Sequence, residues 1–290
     1  MPAPGAGTRG RAPAVGDPFA DSEYGRLRAV VVGSVDAFRL EAERHPAKFS
    51  GIDLAVAARQ QAAFLGVLRE HGIQEIRLSP GGRAERLFFL RDMAVVVGDL
   101  LIACNRRSGH RRASVRAATD LAQRFGFPLR TVAAGALEGG DVLVDGDVVW
   151  AGFGPRSNLA GVRWLAGCLA GRAEVRPLAL TARSVHLDLV FNILPGGAAL
   201  VYARAFQPAA LEELGRRYEL IELNWFEQVL LGTNLLALSP QKVVVDARQR
   251  RLRGLLRDRG LDVLALEYSE VIKLGGSFRC STCPIARDPA

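Results

Sequence analysis

Cysteine, histidine and lysine are all scarce in this chain of 290 residues, and each scarcity removes a class of protein. The four cysteines, Cys104, Cys168, Cys280 and Cys283, are too few to staple so long a chain. No staple is needed, since a chain of this size buries roughly 75% of the surface its unfolded form exposes. Zinc-site spacing is missing too: one C-x-x-C stands alone, with no second pair and no paired histidines. No hydrophobic run reaches the ~20 residues that cross a bilayer, and the most apolar stretch, "MAVVVGDLLIAC", is interrupted by Asp99. The opening, "MPAPGAGTRGRAPAVGDPFADSEYG", lacks the apolar core of a signal peptide, so residues 1–24 read as a flexible tail. A reduced, cytoplasmic setting is expected. No G-x-G-x-x-G follows any strand-like run, which argues against a dinucleotide-binding Rossmann fold.

Lysine occurs only at Lys48, Lys242 and Lys273, so the net charge of +8 is carried by arginine. A positive balance raises the question of nucleic acid. Yet "RQRRLRGLLRDRG" (248–260) alternates arginine with leucine and reads as the wet face of an amphipathic helix. No basic stripe is interleaved with the aromatics that stack bases. Neither a nucleic-acid nor a membrane partner is expected.

What the chain does have is a repeat. An apolar strand, usually a second strand, a helix and a closing strand recur five times, as in "GGDVLVDGDVVWAG", "NLAGVRWLAGCLA" and "AEVRPLAL". "PGG", "VDGD" and "SPQK" fall between paired strands as hairpin turns. Asp92, Asp141, Asp188 and Asn234 recur at a period just under fifty residues. Such a period marks repeated supersecondary units sharing a core. The helix in each unit argues against an all-β propeller. Five units closing on themselves make a ring, strands at the centre and helices outside, with a pocket that takes one residue from each.

The residues at equivalent places carry the chemistry. Asp92 opens the second unit, "EGGD" (Glu138 to Asp141) the third and "HLD" (His186 to Asp188) the fourth, while "GGSFRC" near the end brings Cys280. Strand alternation would put His186 and Asp188 on one side. A thiol, an imidazole and several carboxylates suit nucleophilic attack on a cation. Bland readings exist for each: a buried strand cysteine, a core histidine, carboxylates that cap turns, and an "EGGD" turn with positive-φ glycines and Glu138 in solvent. The redox reading of "CSTC" lacks its strand-then-helix context, and Cys283 reads as a bystander.

From about Glu23 to Asp288 the chain resembles the pentein, or guanidino-group-modifying, superfamily. "RDMAVVVGDLLIACNRRSGHRR" and "LEGGDVLVDGDVVWAGFGPRSNLAG" look most like dimethylarginine dimethylaminohydrolases, "HLD" after "EGG" like arginine deiminases, and "LGGSFRCSTCPIARD" like amidinotransferases. The resemblance implies a five-fold pseudosymmetric α/β propeller of ββαβ-type units around a central pocket, with residues 25–290 as one catalytic domain. It implies Cys280 as nucleophile, His186 as general acid and base, and Glu138 as the partner that orients the imidazole. Asp92 and Asp188 would clamp a planar guanidinium. Arg156 in "GPRSN" and Arg111 in "GHRR" would hold the carboxylate of an amino-acid substrate. The intermediate would be an S-alkylthiouronium, with no metal or cofactor. Asp188 favours an unmethylated guanidinium, so hydrolysis of an arginine-like compound leads and amidino transfer to an amine is the runner-up. A guanidine-binding or ribosome-binding pentein without catalysis is the non-enzyme alternative. A homodimer is compatible with this reading, and residues 36–51 are long enough for a lid.

Overall fold

The structure, a computed structural model, describes residues 18–78, 88–105, 111–181 and 184–290. Among the described residues, short apolar runs separated by tight turns become fifteen strands in five three-stranded sheets. Hairpins β3 (Ala94–Val97) and β4 (Leu100–Ala103), β6 (Val142–Asp145) and β7 (Val148–Phe153), β9 (Phe191–Leu194) and β10 (Ala198–Val201), and β12 (Leu236–Ser239) and β13 (Lys242–Asp246) begin four of them. Each hairpin is followed by a helix and by a strand parallel to its second member: β5 (Leu129–Thr131), β8 (Glu174–Ala179), β11 (Glu219–Glu222) and β14 (Asp262–Leu266). A parallel partner demands such a crossover, because a two-residue turn can only reverse the chain. Gly98 (φ +60) and Gly146 (φ +63) make the reversals in the first two hairpins, each followed by an aspartate, and supply a left-handed conformation that costs other residues strain.

The remaining sheet is assembled differently. Strand β1 (Leu27–Val32) has no hairpin partner next to it in sequence. It pairs in parallel with β2 (Gln74–Ile76) and antiparallel with β15 (Thr282–Arg287), so Val31 lies opposite Cys283. Between β1 and β2, residues 36–51 form α1 (Asp36–Arg44) and α2 (Pro46–Phe49), and α3 (Leu54–Glu70) makes the crossover. Asp53 caps α3 by accepting from the backbone N–H of Ala55 and Val56. The buried side chains of α3, including Ala57, Phe64, Leu65 and Leu68, recur at helical spacing.

Each sheet has two apolar faces because each packs between two others. Val31 and Ile285 share a cluster with Val96 and Leu101, and Val95 and Ile102 share the next with Val144 and Val149. Trp150 meets Phe191, then Leu200 meets Val243, and Leu236 and Val244 meet Val30, returning the series to the first sheet. Double-sided burial explains why these strands read as unbroken Val, Leu and Ile rather than alternating with polar residues.

Part of the expected tail, residues 20–24, is packed against the sheets. The backbones of Ala20 and Gly98 exchange two hydrogen bonds, Ser22 bridges to Asp145, and Glu23 is buried, so the chain is packed from Ala20 onward. Among the described residues no helix is long and apolar enough to cross a membrane.

Candidate active site

The polar residues that recur in sequence do not lie on strands. They occupy short 3-10 turns that lead into the first strand of successive sheets: Leu90–Asp92, Gly139–Asp141, Leu187–Leu189 and Gly232–Asn234. These turns touch one another in order, and the first also meets β15. His186 and Asp188 are thus brought to one place by a turn, not by strand alternation, with His186 as the cap of Leu187–Leu189. Cys280 likewise sits in the turn before β15, while Cys283 is on the strand itself and donates to the Ala94 carbonyl.

The centre is almost dry. Cys280 is 4% exposed, His186 6%, Asp92 5%, and Asp188 and Glu138 are fully buried. The Nε2 of His186 lies 2.9 Å from Glu138 Oε2, and its Nδ1 lies 3.6 Å from Asp92 Oδ1. The Cys280 thiol approaches Asp188 Oδ2 at 3.6 Å. That same oxygen accepts from Arg279 Nη1 at 2.6 Å, whereas Asp188 Oδ1 has no hydrogen-bond partner among the described residues.

Four further residues, Asn234, Asp141, Ser157 and Glu23, hold this arrangement. Asn234 Oδ1 accepts from the backbone N–H of Ser277 and of Cys280, at 2.9 and 3.1 Å, fixing the turn that carries the thiol. Asp141 accepts from the Leu187 N–H at 2.8 Å and from the Ser157 hydroxyl at 2.5 Å, joining the "EGGD" turn to the "HLD" turn. Glu23 grips Arg279 through Nε and Nη2, at 3.1 and 2.9 Å. Ser157 Oγ also accepts from the Glu138 backbone.

Burial and neighbouring charge set the protonation states. Burial opposes a charged imidazole, but Asp92, the Glu138 hydrogen bond, Asp141 and Asp188 outweigh it, and His186 is pushed up to about 10. Burial, then Asp188 and Asp92, push the Cys280 thiol well above its ordinary value, with Arg279 and Asn234 pulling back. Burial pushes Asp141 up to about 7. Both shifts favour the protonated form, of the thiol and of the imidazole, and Asp92 and Asp188 act on both groups.

Ligand atoms of Asp92, Glu138 and His186 lie within 4.8 Å of one another, a donor set that a divalent cation could use. The 2.9 Å His186–Glu138 contact is of hydrogen-bond length, so the same set can also serve as an acid–base pair. The structure brings Asp92, Glu138, His186, Asp188 and Cys280 together. Arg156 stands at the edge, 36% exposed and 3.9 Å from Glu138 Oε1. Arg111 opens the helix Arg111–Phe125, but its side chain lies outside the described residues. Sequence reasoning missed Arg279, Glu23 and Ser157, and used Asn234 only as a spacing marker. The fourth recurrence of the period was the signal that could have found Asn234.

Comparison with known proteins bears on family and fold. A family model described as Arginine deiminase matches residues 217–287. An uncharacterised Bacillus subtilis protein, YkgA, is 30% identical over 271 residues, covering 92% of this chain and 94% of that one. A Streptomyces coelicolor N(G),N(G)-dimethylarginine dimethylaminohydrolase is 27% identical over 236 residues, covering 80% and 86%. The fold is shared with SxtG, an amidinotransferase from Microseira wollei, at a TM-score of 0.79 and 17% identity, covering 94% and 98%. The chain belongs to the pentein superfamily of guanidino-group-modifying proteins. Its relatives there include both hydrolases and amidinotransferases.

Proposed function

We propose that this protein is a cysteine-dependent hydrolase of arginine-like guanidino compounds. The observation that carries the reading is Asp188: one carboxylate oxygen is held by Arg279 beside the thiol, while the other is left to accept hydrogen bonds from a ligand. A guanidinium placed between Asp188 and Asp92 would present its carbon to Cys280. Its positive charge would offset the carboxylates that hold the thiol proton on, making the thiolate available in the complex.

The sulfur then forms a bond to the guanidinium carbon. His186, oriented by Glu138, gives a proton to the departing amine, and the C–N bond breaks to leave an S-alkylthiouronium. His186 next takes a proton from water, whose oxygen bonds to the same carbon as the C–S bond breaks and the thiol returns. Arg156 and Arg111 are the groups assigned to a substrate carboxylate. The return of the sheet-to-sheet cores to their starting sheet supports a closed five-fold pseudosymmetric α/β propeller, which would gather these groups at its centre.

Incubation with arginine, with and without candidate amines, followed by mass analysis, tests the reading. Citrulline and ammonia are expected, with a trapped adduct on Cys280 that is lost in Cys280→Ser. Ornithine plus a new guanidine would assign amidino transfer instead. No turnover and no Cys280 adduct with any guanidine would overturn the enzyme reading.

A further inference from the structure

Glu23 and Arg279 extend the polar network away from the thiol into a second buried cluster. Three arginines meet there: Arg91 is 4% exposed, Arg279 1% and Arg287 3%. Two carboxylates answer them. Glu23 takes Arg279 and lies 3.9 Å from Arg91 Nη1, and Asp188 takes the other end of Arg279. The cluster thus holds one more guanidinium than it has carboxylates. Its unmet hydrogen bonds are concentrated on the other two arginines: Arg91 Nε and Nη2 and Arg287 Nη2 are buried with no hydrogen-bond partner among the described residues.

Arg91 and Arg287 line one small cavity together with Ser22, Glu23, Val144 and Pro284, with room for about one water-sized species. An unpaired buried charge is costly, and so is each unsatisfied N–H. Burial holds Arg287 down to about 9 and also lowers Arg91, in both cases against the pull of Glu23. A water would satisfy the hydrogen bonds and leave the charge. A monatomic anion satisfies both, and the cavity is too small for sulfate or phosphate. Glu23 is part of the wall, but both of its oxygens are already taken by Arg279.

We propose that this cavity binds one monovalent anion of the halide class between the guanidinium groups of Arg91 and Arg287. The proposal is independent of the reaction assigned above. Crystals of the full chain soaked in bromide should show anomalous density within hydrogen-bonding distance of both groups. Thermal unfolding at constant ionic strength should shift upward by a few degrees, saturably, as chloride replaces gluconate. Arg287→Met should lose that chloride-dependent shift; if this variant does not fold, the two wild-type measurements decide. Ordered water without anomalous signal, or equal melting in chloride and gluconate, would overturn the proposal.

Discussion

Burial, then Asp188 and Asp92, favour the protonated Cys280 thiol, while Asp92 and Glu138 favour the protonated His186 against its burial. In the free protein, alkylation of Cys280 by iodoacetamide is therefore expected to climb through pH 9 without levelling off near neutrality. Peptide mapping by mass spectrometry reads this directly, and a plateau below pH 8 would contradict the arrangement. His186 makes a second pH prediction. Its folded value, about 10, lies above the ordinary 6.5, so its contribution to stability is complete below about 6.5 and declines as pH rises toward 10. Unfolding free energy should fall between pH 6.5 and 9, by at most about 1.4 kcal/mol per pH unit, and His186→Gln should flatten the slope. At this scale the sequence showed the residues that recur and act on charge. Arg279 and Glu23 were hidden, one as another arginine in an arginine-rich chain, the other in a segment that reads as tail.

The 3-10 turn is the element that builds the site, and its glycines are there for space. Neither Gly139 nor Gly140 has positive φ, contrary to the plain-turn reading of "EGGD", and Glu138 is buried rather than in solvent. A Cβ on Gly140 would sit 2.9 Å from His186 Nδ1 and 2.8 Å from Asp92 Oδ1. Gly140→Ala should then cut turnover by about 10²-fold, the scale of a catalytic group displaced by an ångström, while the far-ultraviolet spectrum is unchanged. Asn234 acts through the backbone. Asn234→Ala leaves two buried N–H groups without their acceptor, at about 1–3 kcal/mol each, and should lower the denaturant midpoint; Asn234→Asp keeps the acceptor and should recover most of it. Strands and helices were legible because the strands are unbroken apolar runs while the helices repeat apolar residues at three- and four-residue spacing. The turns were taken for strand starts because a three-residue helix leaves no period to read.

For the whole molecule, the repeat was legible as a spacing and the closure was not. Four sheets take their strands from one continuous stretch each, whereas the first borrows β15 from the far end of the chain. No local pattern announces a pairing between Val31 and Cys283. Truncation after Ser281 would remove β15, bare one edge of β1 and open the core shared by Ile285, Val31 and Val96. Such a chain should lose cooperative unfolding in calorimetry, with exposed apolar surface reported by dye binding.

That borrowed strand also sets an order in time. β15 and the turn carrying Cys280 leave the ribosome after the strands of the other four sheets, so one edge of β1 waits unpaired while those sheets are made. Docking of β15 and assembly of the thiol among its carboxylates are then one event.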